Sequence, residues 1–254
     1  MSTGPRDRTG GRAESGTTGG PGQRSAAARP SPVAAGTDDG QPSGAIGASA
    51  RRYAETLVAE HAAAAAARER SAAAGLTPVS PGTATTLTFL AATVGARSAV
   101  EVGTGAGVSG LALLAGMPTG SVLTSVDIEG AYQRLARATM TEAEIAPTRA
   151  RLINGRALDV LPRLTDGAYD VVFADADPSE NLDYLTEALR LLRPGGILAF
   201  NNALDGDGLS DPARRDVAAQ STRALHTAVL DDDRLSTVLL PVGSGLLVAT
   251  VLTA

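Results

Sequence analysis

The sequence predicts an α/β fold. The expected core is a doubly wound, mostly parallel, Rossmann-like sheet with an antiparallel C-terminal hairpin and an N-terminal helical cap. Three observations carry this. From about Ser98 onward, short apolar runs alternate with helical segments. A glycine-rich turn, "VGTGAGVSG", separates the first of those strands from the first helix. The last two apolar runs, "LSTVLLPV" and "GLLVATVLTA", are joined by "VGSG", which is hairpin spacing.

Taken in order, residues 1–47 hold 11 of the 29 glycines and five of the 14 prolines, and Val33 and Ile46 are their only large aliphatics after Met1. Such a segment cannot offset its ordering entropy by burial, so a disordered extension is expected. Residues 48–97 form the cap. "ARRYAETLVAEHAAAAAARERSAAAG" has helix propensity throughout, with Tyr53, Leu57 and Val58 as its apolar face and Gly75 as its C-terminal cap. Two prolines in "LTPVSPG" force an extended link, and a second helix follows over Thr83 to Val94.

Residues 98–254 form the core. "SAVEVG", "SVLTSVDIE", "RARLING", "YDVVFADAD" and "GGILAFNNA" read as strands. The helices between them are "GVSGLALLAGM", "AYQRLARATMTEAEI", "ALDVLPRL" and "NLDYLTEALRLL". In the second of these, Leu135, Ala136 and Ala138 are the expected inner face. "RRDVAAQSTRALHTAVL" is a late helix before the hairpin.

Composition narrows the function. Hydrophobic residues make up 43% and aromatics only 3%, so the core is built from Ala, Val and Leu. The net charge of −5 argues against a nucleic-acid partner. The chain has no Cys, hence no disulfide, thiolate metal site or thiol nucleophile. It has no Lys, which excludes a lysine base or Schiff base. No apolar run approaches the ~20 residues of a membrane helix and no signal core is present, so a cytoplasmic enzyme is expected.

Gly103, Gly105 and Gly107 let the backbone turn tightly at the end of the first strand and approach a ligand. Asp127 ends the second strand roughly twenty residues downstream, where a ribose-binding acid belongs. NAD and S-adenosylmethionine both satisfy these two features. Glu101 separates them, because a carboxylate two residues before Gly103 repels a diphosphate and attracts a sulfonium bearing an ammonium group.

The blocks "TPVSPGTATTLTFLA", "VEVGTGAGVSGLALLAGM", "VLTSVDIE", "LINGRALDVLPRL", "YDVVFADADPSE" and "LRLLRPGGILAFNNAL" occur in this order. Together they resemble the S-adenosylmethionine-dependent O-methyltransferases of the catechol and caffeoyl-CoA type, and within them the actinobacterial group. The resemblance runs from about Ala48 to the C-terminus. It implies that Val79 lies against the cofactor and that Glu101, Gly103, Thr104, Gly105 and Ser109 surround its methionine part. It implies further that Asp127 takes the ribose hydroxyls, with Ile128, Arg156 and Ala157 around the adenine. Asp175 matches a metal-ligand Asp, Asp177 a position touching cofactor or substrate, and Asn201 and Asn202 the Asp-Asn pair that completes a divalent-cation site such as Mg²⁺. A small hydroxylated substrate and a homodimer are also implied.

Two departures stand out. Asn201 replaces a carboxylate, leaving one charge fewer for a hard cation; Asp205 or Asp207 in "LDGDG" could compensate. Pro178 stands where much of this group carries a lysine base. Asp177 has a competing role, since "DPSE" reads as an N-cap with Glu180 completing a capping box. His61 and His226 read as surface or packing residues. A metal-independent methyltransferase, a nicotinamide oxidoreductase and a non-catalytic cofactor-binding protein remain as alternatives.

Overall fold

The computed structural model describes Met1, residues 47–204, Leu209 and residues 216–253. The expected disordered extension therefore lies almost wholly outside the described residues, as do Asp205 and Asp207. By its internal contacts the chain divides into Met1–Ala45 and Ile46–Ala254, and every element below belongs to the second unit.

The cap differs from the expected single long helix. It is α1 (Ala48–Thr56) and α2 (Ala62–Ala73), broken over residues 57–61. His61 is the reason: it is the N-cap of α2, its Nδ1 accepting from Ala63 N at 3.1 Å. Tyr53, Leu57 and Val58 are exposed rather than packed. Then comes α3 (Pro81–Thr93), started by Ser80, whose hydroxyl accepts from Thr83 N at 3.0 Å with proline at the first position.

The core follows the predicted alternation. Its strands are β1 (Ser98–Val102), β2 (Val122–Asp127), β3 (Ala150–Asn154), β4 (Tyr169–Ala174), β5 (Leu192–Phe200), β6 (Leu235–Leu240) and β7 (Leu246–Val251). The helices between them are α4 (Val108–Gly116), α5 (Gly130–Glu142), α6 (Ala157–Val160), α7 (Asn181–Leu191) and α8 (Val217–Asp231). The sheet order is β3-β2-β1-β4-β5-β7-β6; the first five strands are parallel, and β7 pairs antiparallel with both β5 and β6. The direction of winding reverses between β1 and β4, which places a ligand crevice at the C-terminal ends of those strands.

Both faces of the sheet are covered, so β1, β2 and β4 are buried along nearly their whole length. Ala99, Leu123, Phe173 and Ala199 face one core with Leu87, Leu113 and Leu114. Val100, Val102, Val172, Leu198 and Phe200 face the other with Leu185, Leu191, Leu225 and Val229. In α5 the buried face is Gln133, Ala136, Thr139 and Met140, with Leu135 and Ala138 at its edges rather than at its centre.

With so few aromatics, helices reach native density by approaching closely. A Cβ on Gly116 would lie 2.1 Å from the carbonyl oxygen of Thr88, and Thr88 Oγ1 donates to Ala112 O at 2.8 Å. Helix propensity alone favours alanine over glycine by about 1 kcal/mol. The contact opposes this, because backbone meets backbone. Gly116→Ala is expected to destabilise the fold by about 1–3 kcal/mol, read as a lowered denaturation midpoint in urea at unchanged slope.

Candidate active site

A crevice of about 400 Å³ opens at the switch point, lined from the glycine turn, the ends of β2 and β4 and the 76–79 link. Two backbone bonds hold its floor: Gly103 N donates to Val126 O at 2.9 Å and Asp175 N to Val102 O at 2.8 Å. Gly103 has φ +92, and a Cβ there would lie 2.1 Å from the Asp175 carbonyl oxygen. Only glycine lets the two strand ends approach so closely. Gly107 (φ +88) serves α5 instead, its missing Cβ lying 3.1 Å from Ala136 Cα.

Asp127 ends β2 beside this turn and holds it. Its Oδ2 accepts from Thr104 N at 2.9 Å and Gly105 N at 3.0 Å, and its Oδ1 from Glu129 N at 2.9 Å. An ionised carboxylate has about four acceptor sites, so one remains for a ligand hydroxyl. Beyond it Ile128 is 65% exposed at the crevice wall, which the buried Ala157 also lines.

Glu101 departs from the expected contact role. It is fully buried and lies below the crevice rather than among its lining residues. Gly110 makes room for it, since a Cβ there would sit 3.0 Å from Glu101 Oε2. Ser125 Oγ donates to Oε2 at 2.5 Å, and Ser125 Oγ also lies 2.6 Å from Thr104 Oγ1, which accepts from Gln133 Nε2 at 2.9 Å. Oε1 is buried without a partner. Burial raises the Glu101 carboxyl to about 7, opposed by the hydroxyls of Ser125 and Ser109 and reinforced by Asp175 and Asp127.

Asp175, half-buried, stands at the end of β4 on the crevice wall. Its Oδ1 accepts from Asn201 Nδ2 at 3.0 Å and Asn202 Nδ2 at 2.9 Å. Burial raises its pKa, and these two bonds partly offset that. The sequence-predicted trio is thus assembled, but its donors do not fit a divalent cation. Both amides turn N–H toward the only carboxylate, and neither Asn201 nor Asn202 lines the crevice. Asn201 Oδ1 is buried with no hydrogen-bond partner while its Nδ2 faces the carboxylate, whereas a hard cation needs about six oxygens including waters. Among the described residues no cluster of three His, Cys, Asp or Glu is placed to hold a metal.

Asp177 caps the turn after β4, its Oδ1 accepting from Ser179 N at 2.9 Å and Ser179 Oγ at 2.8 Å, which lowers its pKa. Glu180 does not complete a capping box. Its carboxylate pairs with Arg156 and accepts from Tyr184 Oη at 2.5 Å. Burial and Glu180 together push the Tyr184 phenol well above its usual range. Glu180 and Tyr184 both line the crevice, and sequence reasoning missed them as site residues; their i, i+4 spacing on one helical face was the available signal. Val79, Gly103, Thr104, Gly105, Ser109, Arg156 and Ala157 all line the crevice. His61 is spent on its cap, and His226 is half-buried against the Ala203 backbone.

A glycine turn at this switch point, an acid closing it from β2 and an antiparallel strand pair at the sheet edge define a methyltransferase-type Rossmann-like domain. Comparison with known proteins agrees. The model of the O-methyltransferase family matches residues 53–252. A protein of Mycobacterium avium (strain 104), provisionally named an O-methyltransferase, is 47% identical over 197 residues, which is 78% of this chain and 89% of its own. A solved protein of Corynebacterium glutamicum superposes with TM-score 0.75 at 34% identity, covering 80% of this chain and 96% of its own. The O-methyltransferase TomG of Streptomyces achromogenes, solved in complex with S-adenosylmethionine, superposes with TM-score 0.73 at 28% identity over 80% of this chain and 95% of its own. The chain belongs to the O-methyltransferase family.

The raised Glu101 pKa has a signed consequence. In the unfolded chain this group titrates near 4.5, in the folded one near 7. Its stabilising proton uptake is complete below about 4.5 and is lost as pH rises through 7. Ligand-free Glu101→Gln is therefore expected to be more stable than wild type at pH 8, by on the order of 3 kcal/mol and so with a higher unfolding temperature, the difference vanishing at pH 4. Scanning calorimetry at the two pH values checks this.

Proposed function

We propose that the crevice binds S-adenosylmethionine and that the enzyme transfers its methyl group to the hydroxyl of a small phenolic or catechol-like substrate. One observation carries the cofactor reading. Five carboxylates line the crevice, Asp127, Glu129, Asp175, Asp177 and Glu180, against a single guanidinium, Arg156, which is already paired with Glu180. Such a cleft attracts a sulfonium with an ammonium group and repels a pyrophosphate.

On this reading Asp127 accepts from a ribose hydroxyl, Ile128 and Ala157 flank the adenine, and Glu101 acts from below on the cationic methionine end. The chemistry is in-line displacement: the substrate oxygen attacks the methyl carbon as the sulfur leaves with its bonding pair. Catalysis is then mostly positioning of two reactants in a confined site. With the donors at Asp175 unsuited to a divalent cation, no step depends on one. A cytoplasmic homodimer completes the proposal. Exposed Tyr53 on α1, Leu57 and Val58 just after it, and Phe89 on α3 support self-association.

Isothermal titration tests the cofactor. S-adenosylmethionine is expected to bind wild type, and Asp127→Ala to weaken binding by at least about tenfold, since the variant loses both a ligand acceptor and the anchor of the glycine turn. Binding of NAD without S-adenosylmethionine would overturn the reading. Incubation with a panel of catechols and flavonoids is expected to give methyl ethers detectable by mass spectrometry; a panel silent throughout argues for a different acceptor.

A further inference from the structure

Behind Asp175 the chain is built for hydrogen bonding. Asn201 and Asn202 both donate to one oxygen, Asp175 Oδ1. Asn202 is itself held: it takes a left-handed φ of 58, and its Oδ1 accepts from Ser244 Oγ at 2.6 Å. Ser244 sits in the β6–β7 turn, which is fixed from several sides. Ala203 N and Leu204 N donate to Gly245 O and Ser244 O, both at 3.0 Å. Gly243 N donates to Glu55 Oε1 at 2.7 Å, and the other oxygen of Glu55 accepts from Gly82 N at 2.7 Å. A Cβ on Gly243 would lie 2.6 Å from Thr83 Oγ1, and one on Gly245 2.6 Å from Leu204 N. Asp175 Oδ2, by contrast, takes no hydrogen bond among the described residues, and Asp175 lines the crevice.

We infer that Asn201, Asn202 and Ser244 form a metal-free clamp in the place of a divalent cation, holding Asp175 by Oδ1 and leaving Oδ2 to receive the proton of the substrate hydroxyl. This rests on the O-methyl-transfer reading above. Asp175 is then the catalytic residue, and the other three are positioning residues. Oδ2 takes the hydroxyl proton, an oxygen lone pair forms the new O–CH₃ bond, and the S–CH₃ pair leaves with sulfur, which becomes a neutral thioether. The proton passes to solvent when the products leave. Two N–H dipoles on Oδ1 supply positive potential at the carboxylate without the coordination shell a cation demands. The clamp also supplies a base where residue 178 is proline and the chain has no lysine.

Manganese binding to the full chain, followed by electron paramagnetic resonance, tests the clamp without needing the substrate. Wild type is expected to bind no Mn²⁺ up to about 1 mM, the weak end of protein sites for hard cations. Asn201→Asp places a second carboxylate beside Asp175 and is expected to bind Mn²⁺ at least about tenfold more tightly, an effect lost when Asp175→Asn is added. One Mn²⁺ per chain in wild type, abolished by Asp175→Asn, overturns the inference. S-adenosylmethionine titration of the same samples keeps the two proposals apart: failure to bind it defeats the cofactor reading, while the Mn²⁺ result still decides the clamp. With any substrate the panel yields, Ser244→Ala and Asn202→Ala are expected to lower kcat roughly tenfold with KM for the cofactor unchanged, and a chelator to do nothing. Chelator-sensitive activity rescued by Mn²⁺, or wild-type kcat in Asn202→Ala, overturns it as well.

Discussion

The closeness of two strand ends governs the rest of this structure. The carbonyl oxygen of Asp175 occupies the space where a side chain on residue 103 would begin. That approach keeps β1 and β4 paired up to the point where the winding reverses and the crevice opens. The turn of glycines, the anchor from Asp127 and the placement of Asp175 on the wall all follow from it.

A second constraint is electrostatic. Folding brings several carboxylates to one cleft, and each needs a local reason to be tolerated. Asp127 has three backbone N–H donors, Asp177 has Ser179, Glu180 has Arg156 and Tyr184, and Asp175 has two amides. Glu101 keeps a buried oxygen with no partner, and burial raises its carboxyl. Groups that are individually satisfied can still act together on a ligand, because their fields add across a region from which water is partly excluded.

The alternation of strands and helices, the glycine turn, the hairpin and the acid at the end of β2 were legible in the sequence, because each rests on local periodicity or spacing. Tertiary packing settled the rest. The break at His61 was hidden by a run of alanines that would propagate a helix either way. Glu101 looked like a contact residue because strand position gives its location but not the cover over it, and that cover depends on a missing side chain at Gly110. Asn201 and Asn202 stand beside Asp175, yet which atom Asn202 turns toward it depends on a serine some forty residues later. Glu180 read as a capping residue until Arg156, from a different loop, took its carboxylate.

The sealed carboxylate of Glu101 bears on turnover. On the reading proposed above, reactant and spent cofactor fit the same walls and differ in little besides the formal charge on sulfur. A buried anion with an uncommitted oxygen holds the first more strongly than the second, through a region of low polarisability. Discharge of the sulfonium would then loosen the enzyme's grip at the moment the methyl group departs, making escape of the by-product a consequence of the chemistry itself rather than of any moving part.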